Sequence, residues 1–181
     1  IYNALRDAQR AQTPPPFQTG KPLRLGFLGR LDKAKGLDVL LHAAELLRQK
    51  SLPVQLIVAG RGQPHDIQQW QAQYPALDIQ WRGHIPPSTL WPDIDALVFP
   101  SHSFEALGNV ILEAAAAGRA SIASRHGGCV ELIDEGLSGA LFEPGNASDL
   151  ARVIHDLHQH AGRWEEMGRQ AYKKSRSFTT Q

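Results

Sequence analysis

Short apolar runs alternate with amphipathic stretches from Leu23 onwards. The apolar runs predict six strands, at Leu23–Leu28, Val54–Ala59, 79–82, Ala96–Phe99, 121–124 and 139–142. Apolar residues at helical spacing predict helices at 36–49, 67–74, 109–117, near 128–134, after the N-cap Asn146, and around Trp164 to Ala171. Because strands separated by helices pair through right-handed crossovers, the pattern predicts an α/β fold, a Rossmann-like parallel sheet with helices on both faces.

The first 22 residues do not share this pattern. Thr13-Pro14-Pro15-Pro16 is typical of a stiff, extended linker. We therefore predict a linker at residues 1–22 and one domain over residues 23–181.

Composition excludes several classes of protein. The chain has 19 Lys and Arg against 18 Asp and Glu, a net charge of +1, which argues against a nucleic-acid binder. A single cysteine excludes an internal disulfide and favours a reducing compartment. The sequence lacks an apolar run of the ~18 residues that span a membrane, so we expect a soluble cytoplasmic chain without a transmembrane segment.

Ligands of open α/β sheets bind outside the carboxyl ends of the strands. The loop after the first predicted strand, residues 29–36, carries Arg30, Lys33 and Lys35 and leads into a helix. Arginine and lysine are the usual partners of phosphate oxygens, so this loop is a candidate diphosphate site. A solvated basic turn explains the same residues equally well.

The segment from residue 99 to residue 118 predicts a binding site more specifically than the basic loop does. Its helix is apolar from Val110 to Ala117 except for Glu113, which predicts a buried helix with a costly lone carboxylate. The amides of Gly108 and Asn109 begin that helix and could hold an anion. With Glu105 on the other side, the arrangement predicts an anionic centre between two carboxylates, the layout of a sugar–diphosphate–ribose ligand. The alternative is a Glu113 neutralised by a core Arg or Lys.

The spacing of Glu105 and Glu113, followed by small residues and Gly118, resembles the C-terminal, donor-binding domain of retaining GT-B glycosyltransferases in the large bacterial mannosyl- and glucosyltransferase family. Four further motifs occur in the family's order, and they are Gly29-Arg30 with Lys35-Gly36, Gly60-Arg61-Gly62, Arg82-Gly83-His84-Ile85 and Gly127-Gly128-Cys129-Val130-Glu131. The resemblance covers nearly the whole chain. It implies that the chain is half of a two-domain enzyme and that residues 1–22 lead from an N-terminal domain.

The resemblance also implies roles for particular residues. Arg30 and Lys35 would neutralise the donor's diphosphate, Glu113 would accept from the ribose hydroxyls, and Glu105 would hold the donor sugar. Arg30, Lys35 and Glu105 are therefore the expected catalytic residues. The expected binding set is Gly29, Arg30, Lys35, His84, Ile85, Glu105, Leu107, Gly108, Asn109, Val110 and Glu113.

The resemblance further implies transfer of a sugar from a nucleotide-diphosphate donor without a metal or another cofactor. The acceptor, whether glycan, lipid-linked or small molecule, would bind mainly to the N-terminal domain, and the complete protein could associate with the inner membrane face. Two alternatives stay open, a GT-B-type nucleotide-sugar epimerase and a non-catalytic flavodoxin-like module. The latter expects an acidic pocket where this chain has a basic loop.

Three further features invite other interpretations. Asp93-Ile94-Asp95 matches the metal motif of a different glycosyltransferase fold, but it precedes a strand, at the edge opposite the expected site. His155, His158 and His160 follow one another near a helix end, where solvated imidazoles are common. Cys129 could be a nucleophile, although a small buried thiol is the simpler interpretation.

Overall fold

The computed structural model describes residues 20–103, 108–160 and 162–178. Its strands are β1 (Leu23–Leu28), β2 (Val54–Ala59), β3 (Asp78–Gly83), β4 (Ala96–Phe99), β5 (Ala120–Ser124) and β6 (Gly139–Phe142). Its helices are α1 (Leu37–Gln49), α2 (Pro64–Gln73), α3 (Asn109–Ala116), α4 (Cys129–Leu132), α5 (Ala147–His158) and α6 (Arg163–Ser177). Two single 3₁₀ turns, Pro87–Thr89 and Trp91–Asp93, lie between β3 and β4.

All six strands are parallel, in the order β3-β2-β1-β4-β5-β6. This is the doubly wound order, and it confirms the predicted Rossmann-like α/β fold. We call the side where the strands end the carboxyl edge and the side where they begin the amino edge. The strand order reverses direction between β1 and β4, so the chain leaves these two neighbours toward opposite sides.

Side chains of every strand except the partly exposed β3 alternate between two separate cores. Ala96 and Val98 of β4 lie in the core under α1 and α5, while Leu97 and Phe99 lie in the core under α3. This two-sided burial explains why the strands are continuous apolar runs. The prediction of helices on both faces is therefore confirmed.

Helix starts follow local rules that the sequence shows only in part. Asn146 caps α5, because its side chain accepts a hydrogen bond from the backbone N–H of Asp149 at 2.9 Å. Helix α2 begins at Pro64, earlier than the predicted residue 67, because proline suits the first helical position. Among the described helices, none combines the length and apolar character that crossing a membrane requires.

Candidate active site

The carboxyl edge between β1 and β4 is the place where this fold leaves a crevice. The loop after β1 and the segment after β4 both end there. They are joined by hydrogen bonds from the backbone N–H groups of His102 and Ser103 to the carbonyl of Ala34, at 2.9 and 3.4 Å. The basic loop and the segment that leads to α3 therefore form one continuous wall.

Two glycines let backbones touch at this edge. Gly36 has a φ of 75°, and a Cβ there would lie 1.9 Å from the carbonyl oxygen of Pro100. Gly60 has a φ of 144°, and a Cβ there would lie 1.7 Å from the carbonyl oxygen of Gly29. Because any side chain at either position would push the loops apart, the loops after β1, β2 and β4 keep their spacing only with glycine.

The loop after β1 concentrates positive charge. The Oδ1 atom of Asp32 accepts from the Lys35 backbone N–H at 2.9 Å and shapes the turn, while its Oδ2 atom lies 3.4 Å from Nε of Arg30. Partial burial lowers the pKa of Lys35, the nearby Arg30 lowers it further, and Asp32 opposes both effects. Two cations that disfavour each other in this way would gain from a bound anion.

Helix α3 follows the segment that is hydrogen-bonded to this loop. The backbone N–H groups of Ile111 and Leu112 donate to the Gly108 carbonyl, at 2.9 and 3.3 Å. The first N–H groups of an α-helix, here those of Asn109 and Val110, have no acceptor inside the helix, and the helix dipole adds partial positive charge at the same end. The expected residues Glu105 and Leu107 fall at 104–107, outside the described residues.

The prediction that α3 is buried all round is wrong. Ile111, Leu112 and Ala114 to Ala116 are buried, but Asn109 is exposed and Glu113 is only half-buried. Asn109 and Glu113 are four residues apart and so lie on one face of the helix. Seven apolar residues out of the eight from Val110 to Ala117 had hidden which stripe faces away from the core.

Burial disfavours the charged form of the Glu113 carboxylate. Burial raises its pKa, and within residues 20–103, 108–160 and 162–178 it makes neither a hydrogen bond nor an ion pair. The alternative of a core arginine as its partner is not observed, because the buried Arg119 donates to backbone carbonyls instead, those of Trp91, Ile94 and Ala117. An acceptor-only group in such surroundings would gain from hydroxyl donors.

The remaining expected residues lie further along the edge. His84 is exposed just after β3, two strands away from β1, and Ile85 packs partly against the core under α3. Gly60 donates its backbone N–H to the carbonyl of Gly83 at 2.8 Å, which links this region to the loop after β2. The structure thus places Arg30, Lys35 and the start of α3 at the crevice, with His84 and Ile85 at its flank.

The two aspartates of the Asp-x-Asp motif each bind an arginine. Asp95 accepts from the Arg24 backbone N–H at 2.8 Å and from its Nη2 at 3.1 Å, at the amino edge. Asp93 accepts from Nη1 of Arg82 at 2.5 Å. In the part of the chain that the structure describes, no cluster of three His, Cys, Asp or Glu side chains is arranged to hold a metal ion.

The surroundings of Cys129 and His158 indicate that both residues are part of the packing of the fold. Cys129 is buried, and burial raises the pKa of its thiol to about 11, so it is not an activated nucleophile. The interpretation of His158 as a solvated imidazole is wrong. It is partly buried, its Nδ1 accepts from the Trp164 indole N–H at 3.2 Å, and burial lowers its pKa.

Sequence reasoning missed one contact at this edge. Nε2 of His126, in the loop after β5, lies 2.5 Å from the carbonyl oxygen of Ser101 in the segment after β4. The two residues are 25 positions apart, and only the adjacency of β4 and β5 brings them together. A lone histidine before two glycines gives no signal of such a contact.

The strand order and the charged loop at the strand reversal define a Rossmann-like α/β domain with a candidate anion site. The chain belongs to the glycosyl transferases group 1 family, whose profile matches residues 22–160. The suspected family is thus confirmed, and it favours the transferase over the epimerase and flavodoxin-like alternatives.

Individual relatives support the same assignment. The chain is 33% identical to a D-inositol 3-phosphate glycosyltransferase of Arthrobacter sp. (strain FB24), an alignment that covers 97% of this chain and 43% of the relative. The chain therefore spans about two fifths of the length of that relative.

Two solved structures share the fold. The C-terminal domain of a group 1 family glycosyl transferase from Francisella tularensis superimposes with a TM-score of 0.75 and 23% identity, covering 99% of this chain and 93% of that one. HepE of Anabaena, solved in complex with UDP-glucose, superimposes with a TM-score of 0.77 and 23% identity, covering 87% of this chain and 44% of that one.

Proposed function

We propose that this chain is the nucleotide-sugar-binding half of a retaining glycosyltransferase. It binds the diphosphate of a nucleotide-sugar donor in the crevice between β1 and β4. The observation that carries the proposal is the basic loop with Arg30 and Lys35, which is joined through the Ala34 carbonyl to the segment after β4 that leads into α3. Family membership supports it, and so does the UDP-glucose in the similar HepE structure.

The main contribution of this half to catalysis is stabilisation of the leaving group. As the bond between sugar and diphosphate breaks, negative charge grows on the diphosphate oxygen that departs. Arg30, Lys35 and the N–H groups of Gly108, Asn109 and Val110 are fixed donors for that charge, so no reorganisation is needed in the transition state. This arrangement supplies the positive charge that a divalent metal would otherwise bring, so the proposed reaction is metal-independent.

The two carboxylates then bind the neutral parts of the donor. Glu113 lies about 6 Å along α3 from Asn109, at ~1.5 Å rise per residue, which is a suitable offset for the ribose next to the diphosphate. Backbone groups near His84 and Ile85 contact the base and Gly29 lines the diphosphate, while by family resemblance Leu107 also belongs to the binding set. By family resemblance Glu105 holds the sugar hydroxyls and orients the anomeric carbon.

A second domain completes the enzyme in this proposal, and residues 1–22 are the linker to it. That domain binds the acceptor and closes over the donor in the cytoplasm, where the complete protein works at or near the inner membrane face. The relatives' greater length supports a second domain. We expect the 181-residue chain to bind donor without transferring sugar, because catalysis needs both halves to enclose the reacting atoms.

Calorimetric titration of the chain with uridine, UDP and UDP-glucose tests the proposal, with the guanosine series to compare bases. We expect the diphosphate to bind at least ten times more tightly than its nucleoside, since hydrogen bonds to charged groups contribute about 1–3 kcal/mol. Glu113→Gln should weaken all ribose-containing ligands, whereas Glu166→Gln, a half-exposed carboxylate on α6, is the matched control. Absence of binding by every nucleoside diphosphate would refute the proposal, and unchanged binding by Glu113→Gln would remove the ribose role.

A further inference from the structure

Three loops of the carboxyl edge, those after β1, β5 and β6, contact the segment Pro100–Ser103, which we call the bridging segment. It follows β4 directly and leads toward α3. On one side it contacts the loop after β1, where the Ala34 carbonyl accepts from His102 and Ser103 and from the Ser101 hydroxyl at 3.4 Å. The bridging segment is therefore held directly against the basic loop.

On its other side, the bridging segment contacts the loops after β5 and β6. The His102 ring lies against Gly145, where a Cβ would be 3.2 Å from Cε1 of the imidazole. The His126 ring reaches the Ser101 carbonyl oxygen at 2.5 Å. Ser101 is thus held from both directions, by its hydroxyl toward β1 and by its carbonyl toward β5.

We propose that His126 is a positioning residue of the donor site, which acts by donating a hydrogen bond from Nε2 to the Ser101 carbonyl. A carbonyl oxygen can only accept, so the proton must be on Nε2 of His126. Both the neutral Nε2–H tautomer and the imidazolium meet this requirement. The contact fixes the bridging segment against the loop after β1, and with it the spacing of the groups that would hold the diphosphate. In its link to donor binding, this inference rests on the proposed function.

Two substitutions separate the hydrogen bond from the shape of the side chain. His126→Gln keeps an N–H donor at about the reach of Nε2, whereas His126→Met keeps similar length without a donor. His42→Met is the matched control, because His42 is exposed on α1 and distant from the carboxyl edge. Thermal unfolding of all three variants checks that each one is folded before the comparison is made.

The first measurement requires no ligand. Hydrogen exchange of the His102 amide, which donates to Ala34, reports how firmly the bridging segment is held. We expect His126→Met to raise its exchange rate about 3- to 10-fold, the effect of losing one hydrogen bond, while His126→Gln and His42→Met stay within about twofold of the wild type. Equal exchange in His126→Met and wild type overturns the inference, and so does equal acceleration in the Met and Gln variants.

The second measurement is titration with UDP and UDP-glucose. We expect affinity to fall about 3- to 10-fold in His126→Met and to be retained in His126→Gln. Faster exchange with unchanged affinity would show a tether that does not position the site, which also overturns the inference. If the wild-type chain binds no nucleoside diphosphate, the proposed function fails by itself. The exchange data would then decide only whether His126 holds the bridging segment.

Discussion

At the amino edge charged side chains are held by other parts of the chain, whereas at the carboxyl edge two cations oppose one another and the half-buried Glu113 makes no contact with a partner in the described part of the chain. Asp95 holds Arg24 through its backbone and side chain, and Arg119 donates to three backbone carbonyls. Across the sheet, Arg30 lowers the pKa of Lys35, and Glu113 has no partner within the described ranges. Charge that the fold has already satisfied stabilises structure, and charge left unsatisfied marks where a ligand is expected.

The largest expected effect is at the amino edge. Arg119 is 3% exposed, and burial lowers its pKa to about 10, so it remains charged at neutral pH. Arg119→Met leaves its buried carbonyl partners unpaired, and we expect the free energy of unfolding to fall by about 3 kcal/mol in urea titrations. The exposed Arg61→Met is the control and should change stability by less than about 0.5 kcal/mol. If Arg119→Met also changed the free energy of unfolding by less than about 0.5 kcal/mol, the charged side chains of the amino edge would not stabilise the fold as we propose.

The Asp-x-Asp motif provides the next test. Asp95→Asn should lower the free energy of unfolding by about 2 kcal/mol, because a nearly buried acceptor of charged hydrogen bonds is lost. Asp93→Asn should cost only about 0.5 kcal/mol, because that carboxylate is half exposed. Neither change should alter UDP affinity, with or without EDTA. A loss of affinity in both variants, restored by Mn²⁺, would show that the motif binds a metal after all.

At the carboxyl edge the effect should be on binding and not on folding. Arg30→Ala and Lys35→Ala should each lower UDP affinity about tenfold, within the range of hydrogen bonds to charged groups, and the loss should shrink at high salt. Lys33→Ala, an exposed cation of the same loop, is the control. Calorimetry at two salt concentrations measures this. Equal losses at all three positions would indicate general attraction by a basic loop without a specific site.

The smallest expected effect is a pH-dependent gain in stability when Glu113 loses its charge. Burial raises its pKa in the folded chain, so the folded state binds more protons than the unfolded state between the two pKa values, and stability falls as pH rises through that window. Without ligand, Glu113→Gln should therefore be slightly more stable than wild type at pH 7 and equal to it below about pH 4, under both carboxyl pKa values. Thermal unfolding across this range checks it. A destabilised Gln variant at neutral pH would mean that the carboxylate has a structural partner.

The pattern of apolar residues predicted the strands well because every strand except β3 is buried on both faces. The predicted bounds of β1, β2 and β4 agree with the structure. The buried face of α3 could not be predicted in the same way, because its alanines and aliphatic residues differ little around the helix. The order of the strands in the sheet could not be predicted from the periodicity either, since crossover handedness does not decide which strands are neighbours.

Some residues of the candidate site could be predicted from the sequence and others could not. Arg30 and Lys35 could be found because they follow a strand directly, and strand ends are where ligands bind. His126 could not, because its role depends on a contact between loops of neighbouring strands. A sequence shows which groups stand at an edge, but the contacts that hold the loops together depend on the folded chain.

The backbone contacts at Gly36 and Gly60 have a consequence for redesign of the chain. Where the loops after β1, β2 and β4 meet, main-chain atoms approach so closely that they leave no room for a side chain at either glycine. Exchanging the side chains that stand on these loops, such as Arg30 and Lys35, should therefore change donor binding without shifting the loops. Libraries that vary those positions and leave both glycines fixed offer the most direct route to altered donor choice.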